Sequence, residues 1–210
     1  MQNTVRVTLG GTLLAFVMFS SPANASSPVD LSNPAFALVS GPTSIPVGAA
    51  DFCKRERSEC APNAHVVELE TLTQQSWKQL TAVNDDVNGT IIPETDEANY
   101  HLAEYWTYPD DGRGDCEDIA LQKRRALIED GWDPSTLLMA VVREHNGDGH
   151  AVLMVRTDRG DLVLDNQDGR VLLWKDTPYE FIKRQSQADA SKWVGINDDR
   201  SIIMATATTN

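Results

Sequence analysis

Cys116, His150 and Asp165 are the residues of this chain whose types and contexts suit a thiol catalytic centre. A thiol needs a base to take its proton, and the base needs a partner that fixes its ring. Cys116 stands in Gly114-Asp115-Cys116-Glu117-Asp118, just before an apolar-periodic run that reads as a helix over 116–130. A helix N-terminus carries partial positive charge and free N–H groups. That position is expected to lower the thiol pKa and to offer donors to an oxyanion. The Cys116 amide is one candidate donor, with Asn84 or Trp106 upstream as the second. His150 opens a strand after a glycine-rich loop, and Asp165 closes the next strand. With a hairpin turn centred near 157–158, position 150 lies opposite position 165, on one face of a sheet. A shift of the turn centre moves the partner by one or two residues.

Asp115, Glu117 and Asp118 crowd the same cysteine. Like charges raise a thiol pKa and oppose its activation. Either these acids point away as caps and surface groups, or a cation neutralises them. Clustered carboxylates offer hard oxygen donors, which suit calcium. The spacing is not that of an EF-hand loop, so the calcium expectation rests on electrostatics, and chelation is expected to slow the enzyme.

The elements that must position these groups are read from periodicity. Residues 26–64 are rich in Pro, Ser, Ala and Gly and read as an extended arm. Val67, Leu69, Leu72, Trp77, Leu80 and Val83 repeat at helical intervals, which predicts a helix over 65–83, broken or capped by Asn84–Gly89. Residues 90–113 read as a polar loop with Tyr100, Tyr105, Trp106 and Tyr108. Asp115 and Gly131 suit the N-cap and C′ positions of the 116–130 helix, with Lys123 at the margin of its buried stripe. Strands are expected at 137–142, 151–156 and 162–164, with a further short one at 171–174. Helices followed by a run of strands point to an α+β fold.

Residues 1–25 carry Arg6, an apolar stretch and Ala23-Asn24-Ala25, the pattern of a secretory leader cut after Ala25. Residues 65–210 are expected to form the working domain. Export predicts a Cys53–Cys60 disulfide, since an oxidising compartment favours pairing. Zinc is the competitor there, with His65 the only close histidine. Cys116 is then the unpaired thiol. The net charge of −13 becomes −14 when the leader takes Arg6 with it. Phosphate-bearing partners would be repelled, so no nucleic-acid partner is expected. The acidic surface suggests a monomer.

At these residues the chain resembles the bacterial transglutaminase-like cysteine proteinases. The matching text is Val83-Asn84-Asp85-Asp86-Val87-Asn88, Trp106-Thr107-Tyr108-Pro109, and Gly114 through Arg124. It continues in Gly131-Trp132, His150-Ala151-Val152-Leu153 and Leu164-Asp165-Asn166, so that the resemblance covers roughly residues 66–185. It implies a papain-like, transglutaminase-like core with helices packed on an antiparallel sheet. It assigns Cys116 as nucleophile, His150 as base and acid, and Asp165 as orienter. It also implies a calcium site at Asp115, Glu117 and Asp118. Relatives cut large surface adhesins in the periplasm under an inner-membrane receptor for cyclic di-GMP. Ile119 stands where an aromatic is common, and Ile91–Asp96 departs from the family pattern.

The function expected is a periplasmic or secreted cysteine endopeptidase that cleaves an envelope or surface protein, adhesin-like, through an acyl-enzyme. The alternatives are a transglutaminase or amidase acting on glutamine side chains, and a non-catalytic calcium-binding adaptor.

Overall fold

The computed structural model describes residues 29–200. The expected leader over 1–25 lies outside the described residues. In chain order the elements are β1 (Leu38–Thr43), α1 (Val47–Arg55), α2 (Gln74–Thr90), β2 (Ile92–Pro93), α3 (Asp96–Tyr100), β3 (Arg113–Gly114), α4 (Cys116–Glu129), β4 (Leu137–Arg143), β5 (Gly149–Thr157), β6 (Gly160–Leu164), β7 (Leu172–Leu173), β8 (Glu180–Gln185) and β9 (Trp193–Asn197). One seven-stranded sheet runs β1-β9-β8-β4-β5-β6-β7, antiparallel throughout. β2 and β3 form a separate parallel pair. This is the α+β arrangement expected, with helices on an antiparallel sheet. Among the described residues no helix is long and apolar enough to cross a membrane.

Alternate residues of a strand face opposite sides of its sheet. Leu153 and Val155 of β5 and Leu162 and Leu164 of β6 join Leu80 of α2 and Leu121 and Leu127 of α4 in one core. Val152, Met154 and Val163 face the other way, onto Trp174, Tyr179 and Phe181. With both faces covered, the central strands read as apolar runs rather than as strict alternation.

The helix expected over 65–83 starts later and ends later. Thr73 and Ser76 form a capping box, with Ser76 N donating to Thr73 Oγ1 at 3.1 Å and Thr73 N to Ser76 Oγ at 2.8 Å. Residues upstream spend their backbone groups elsewhere: Val67 N donates to Ser135 Oγ and Glu70 N to the Arg156 carbonyl. At the other end, Asn84 and Val87 are buried on the core face, and that packing carries α2 through the segment expected to break it.

The extended arm is also corrected. Its residues supply β1, an edge strand of the sheet, and α1. Gly48 lets α1 touch Trp106, since a Cβ there would stand 2.3 Å from Trp106 Cδ1. Phe52 meets Tyr108 edge-on at 5.6 Å. The expected Cys53–Cys60 disulfide is present, with Cα atoms 5.4 Å apart.

α4 spans nearly the expected residues, and Gly131 takes the left-handed C′ conformation at φ 93°. Lys123 is not marginal but 1% exposed, deep in the core. Arg124 is buried beside it, donating to the Leu137 carbonyl at 3.1 Å and pairing with Glu59.

Candidate active site

The β5–β6 hairpin brings together His150 and Asp165, the residues expected as base and orienter. Leu153 pairs with Leu164 and Thr157 with Gly160. The turn is centred one residue later than expected, so the continued register sets position 150 opposite 167. That slip is two residues and the strand period is two, so His150 and Asp165 keep one face as diagonal neighbours. His150 Nε2 lies 2.8 Å from Asp165 Oδ1, in a buried pair. Nδ1 is then the ring nitrogen left to work.

Asp165 is held from several directions. Its Oδ1 also accepts from the Gln167 amide at 3.1 Å, and its Oδ2 accepts from the Tyr179 hydroxyl at 2.5 Å. Burial pushes the carboxyl pKa up, but the donors from His150, Tyr179 and Gln167 outweigh it and hold the group below the ordinary range. Burial and the nearby Asp165 push Tyr179 upward, so it stays a donor. The Tyr179 ring tilts against the His150 ring, centroids 5.2 Å apart. From α2, Asn88 Nδ2 donates to the Asp165 carbonyl at 2.8 Å and Asn84 Nδ2 to the Gly169 carbonyl at 2.9 Å.

Those bonds engage the side chains expected as second oxyanion donors. Asn84 holds the loop after Asp165, and Trp106 Nε1 donates to Glu104 Oε2 at 3.2 Å. The amides opening α4 remain. Asp115 sits at the N-cap but its side chain makes no cap bond, because Oδ2 accepts from Asp96 N at 3.3 Å.

Cys116 begins α4, and the backbone of Ala151, the residue after His150, acts to lower its thiol pKa. The thiol donates to Glu117 Oε2 at 3.1 Å and makes no hydrogen bond to His150. Its pKa is not lowered, as the helix position predicted, but raised. Burial is the larger cause and Glu117 the next. A helix terminus contributes about 0.3–1 kcal/mol at an exposed site, too little to offset both.

The acids beside the thiol divide into two groups. Glu117 turns toward Cys116 and Asp115, and burial with the Asp115 charge raises its pKa. Asp115 and Asp118 meet Asp96 instead, with one oxygen of each within 4.8 Å of the others. Of the expected trio, Asp115 and Asp118 thus form a compact carboxylate group with Asp96, while Glu117 stands with Asp115 and Cys116. Asp96 lay in the segment that departs from the family pattern. Two-residue strands bring it in, because β2 pairs Pro93 with Gly114, and no local sequence signal marks that contact.

One oxygen of each acid has a donor or a backbone partner. Tyr105 N donates to Asp96 Oδ2, Thr107 N to Asp118 Oδ1 at 2.7 Å, and Asp96 N to Asp115 Oδ2. The other three, Asp96 Oδ1, Asp115 Oδ1 and Asp118 Oδ2, are buried without a partner. Burial pushes the Asp118 carboxyl up to about 8, with Asp115, Asp96 and Asp111 adding to it, and burial likewise raises Asp96. Gly114 clears the space, since a Cβ there would lie 2.9 Å from Asp118 Oδ2.

The calcium-bound LapG of Legionella pneumophila is similar to this chain, with 26% identity and a TM-score of 0.47, over 52% of this chain and 64% of that one. Another structure of Legionella pneumophila LapG has 26% identity and a TM-score of 0.48, over 62% of this chain and 75% of that one. The match thus spans less than two thirds of the calcium-bound chain's length. Comparison with curated proteins gives no match. The family described as bacterial transglutaminase-like cysteine proteinase BTLCP matches residues 39–201, and with that match over most of its length this chain belongs to that family.

Proposed function

We propose that this chain is an exported cysteine endopeptidase that cuts an envelope or surface protein, with Cys116 as nucleophile, His150 as base and acid, and Asp165 as orienter. The observation that carries this reading is the buried His150–Asp165 pair at 2.8 Å, next in sequence to Ala151, whose backbone acts on the Cys116 thiol. Asp165 fixes Nε2 and leaves Nδ1 to exchange a proton with the thiol. The thiolate adds to the scissile carbonyl carbon, with the α4 amides as donors to the oxyanion. His150 passes its proton to the departing amine nitrogen. Water then cleaves the thioester, giving its proton to His150 and restoring the thiol.

Asp96, Asp115 and Asp118 would hold a calcium ion. Their donor set is all carboxylate, and three of their buried oxygens lack partners, a costly arrangement that a hard cation resolves. Such an ion supplies positive charge beside the thiol, against the acids that otherwise keep it protonated. Export to the periplasm or beyond follows from the leader pattern and accords with the disulfide. An adhesin-like substrate and an inner-membrane receptor are what family membership suggests as first candidates.

Purified protein with calcium is expected to cut a polypeptide of the envelope fraction, and the Cys116→Ala form is not. Substrates left intact by both forms would count against the peptidase. Incorporation of a labelled amine into protein, without chain cleavage, would move the reading to a transglutaminase.

A further inference from the structure

Tyr179 has no place in the nucleophile–base–orienter scheme, yet it touches both halves of the hydrogen-bonded pair. Its hydroxyl donates to Asp165 Oδ2, the oxygen that His150 does not use. Its ring leans on the imidazole at 5.2 Å and 54°. The residue is itself anchored, because Arg200 donates to the Tyr179 carbonyl at 2.7 Å and β8 begins immediately after it. Tyr179 also contributes to the wall of a cavity of about 580 Å³ that holds Arg143, Lys175 and Glu180. Nothing else among the described side chains donates to Oδ2.

We propose that Tyr179 is a positioning residue for the reaction, acting through Asp165 and on the imidazole plane. The inference rests on the thiol–imidazole reading given above. Without the hydroxyl, Oδ2 is a buried acceptor with no partner, and the carboxylate is free to turn or to take a proton. Either change loosens the Oδ1 contact that aims His150 Nδ1. Without the ring, the imidazole loses the surface that limits its swing. Tyr179 never touches the scissile bond, so its removal slows thiolate formation without altering how a substrate is gripped.

The test follows alkylation of Cys116 by iodoacetamide, below neutral pH and in calcium-containing buffer. The proteins are wild type, Y179F, D165A, the Y179F/D165A double variant and H150A, each checked for a folded far-UV spectrum. Y179F keeps the ring and removes only the donor. It is expected to slow alkylation roughly tenfold in the wild-type background, the scale of a hydrogen bond to a charged group. In the D165A background it is expected to change nothing, because the oxygen it served is gone. Equal slowing in both backgrounds would show that Tyr179 does not act through Asp165 and would overturn the proposal. So would a Y179F rate equal to wild type while H150A is slow, and that result would leave the base assignment standing. Should H150A match wild type, the thiol–imidazole reading fails first, and this inference falls with it.

Discussion

Around Asp165 both carboxylate oxygens have donors, whereas around Asp96, Asp115 and Asp118 each acid keeps one buried oxygen without any. The two groups are built by different parts of the chain. Asp165 directly follows β6, where β5 and the Tyr179 segment supply donors to its carboxylate and α2 one to its carbonyl. The three acids sit on the loop system at the start of α4. The pKa directions follow that division, with Asp165 held low by its donors and Asp118 pushed up to about 8 by burial. The fold thus satisfies the Asp165 carboxylate from within the chain and leaves the other three half-satisfied. On the proposed reading, the Cys116 half would take its positive charge from a bound cation.

The largest effect expected is therefore on the unpaired half. At a hundredfold excess over its dissociation constant, a calcium ion would stabilise the fold by about 2.7 kcal/mol, raising the melting temperature by roughly 5–10 °C. Asp118→Asn is expected to abolish most of that rise. The pH dependence has a definite sign. Asp118 and Asp96 have folded-state pKa values above their unfolded values. The stability they contribute is complete below the unfolded carboxylate range and is lost as pH rises toward about 8 for Asp118. In chelator, melting temperature should fall between pH 5 and pH 8, and calcium should flatten that fall. Melting curves across this range check both. A chelated protein that grows more stable over the interval, with no calcium response, would break the contrast between the halves.

A second effect joins the disulfide to that same half. Arg55 donates to the Trp106 carbonyl at 2.7 Å, and Phe52 packs on Tyr108. In the same loop, the Tyr105 and Thr107 amides donate to Asp96 and Asp118. The helix that carries Cys53 thus braces the loop that arranges the acids. Replacing Cys53 and Cys60 by serine should cost about 2 kcal/mol of stability and weaken calcium binding severalfold. Calorimetric titration of both forms measures it. An unchanged calcium affinity would detach the disulfide from the site.

The pairing of His150 with Asp165 was legible in the sequence because strand geometry tolerates error. The turn lies one residue later than the spacing predicts, yet a two-residue slip along a strand returns His150 and Asp165 to the same face. The start of α4 was legible from Asp115 and its end from Gly131, since both positions have strong residue preferences. The other half was not. Asp96 reaches Asp115 only through a pairing of two-residue strands, too short to leave a periodic signal. Tyr179 and Asn88 act across 14 and 77 positions of chain, respectively. α1 was hidden in a segment rich in small residues, because the contact that makes it pack is the bare Cα of Gly48 under Trp106. The thiol pKa went the wrong way because burial of Cys116 is a tertiary fact, while its helix position is a local one.

The smallest effect tests how firmly the paired half stands by itself. Asn88 donates to the backbone carbonyl of Asp165, not to its carboxylate. Asn88→Ala leaves that carbonyl short of a donor at a cost of about 1 kcal/mol, enough to relax the loop without unfolding the domain. The Tyr179, Gln167 and His150 bonds all remain, so Cys116 alkylation should slow only a few-fold. The calcium-dependent rise in melting temperature should be the same as in wild type, because Asn88 has no bond to the acids and Asp165 directly follows β6. Alkylation rate and calcium response, measured on one preparation, separate the two outcomes. If Asn88→Ala lowers the calcium response as much as it lowers the rate, then the halves are coupled through α2. In that case the division drawn from their hydrogen bonds does not describe how the site behaves.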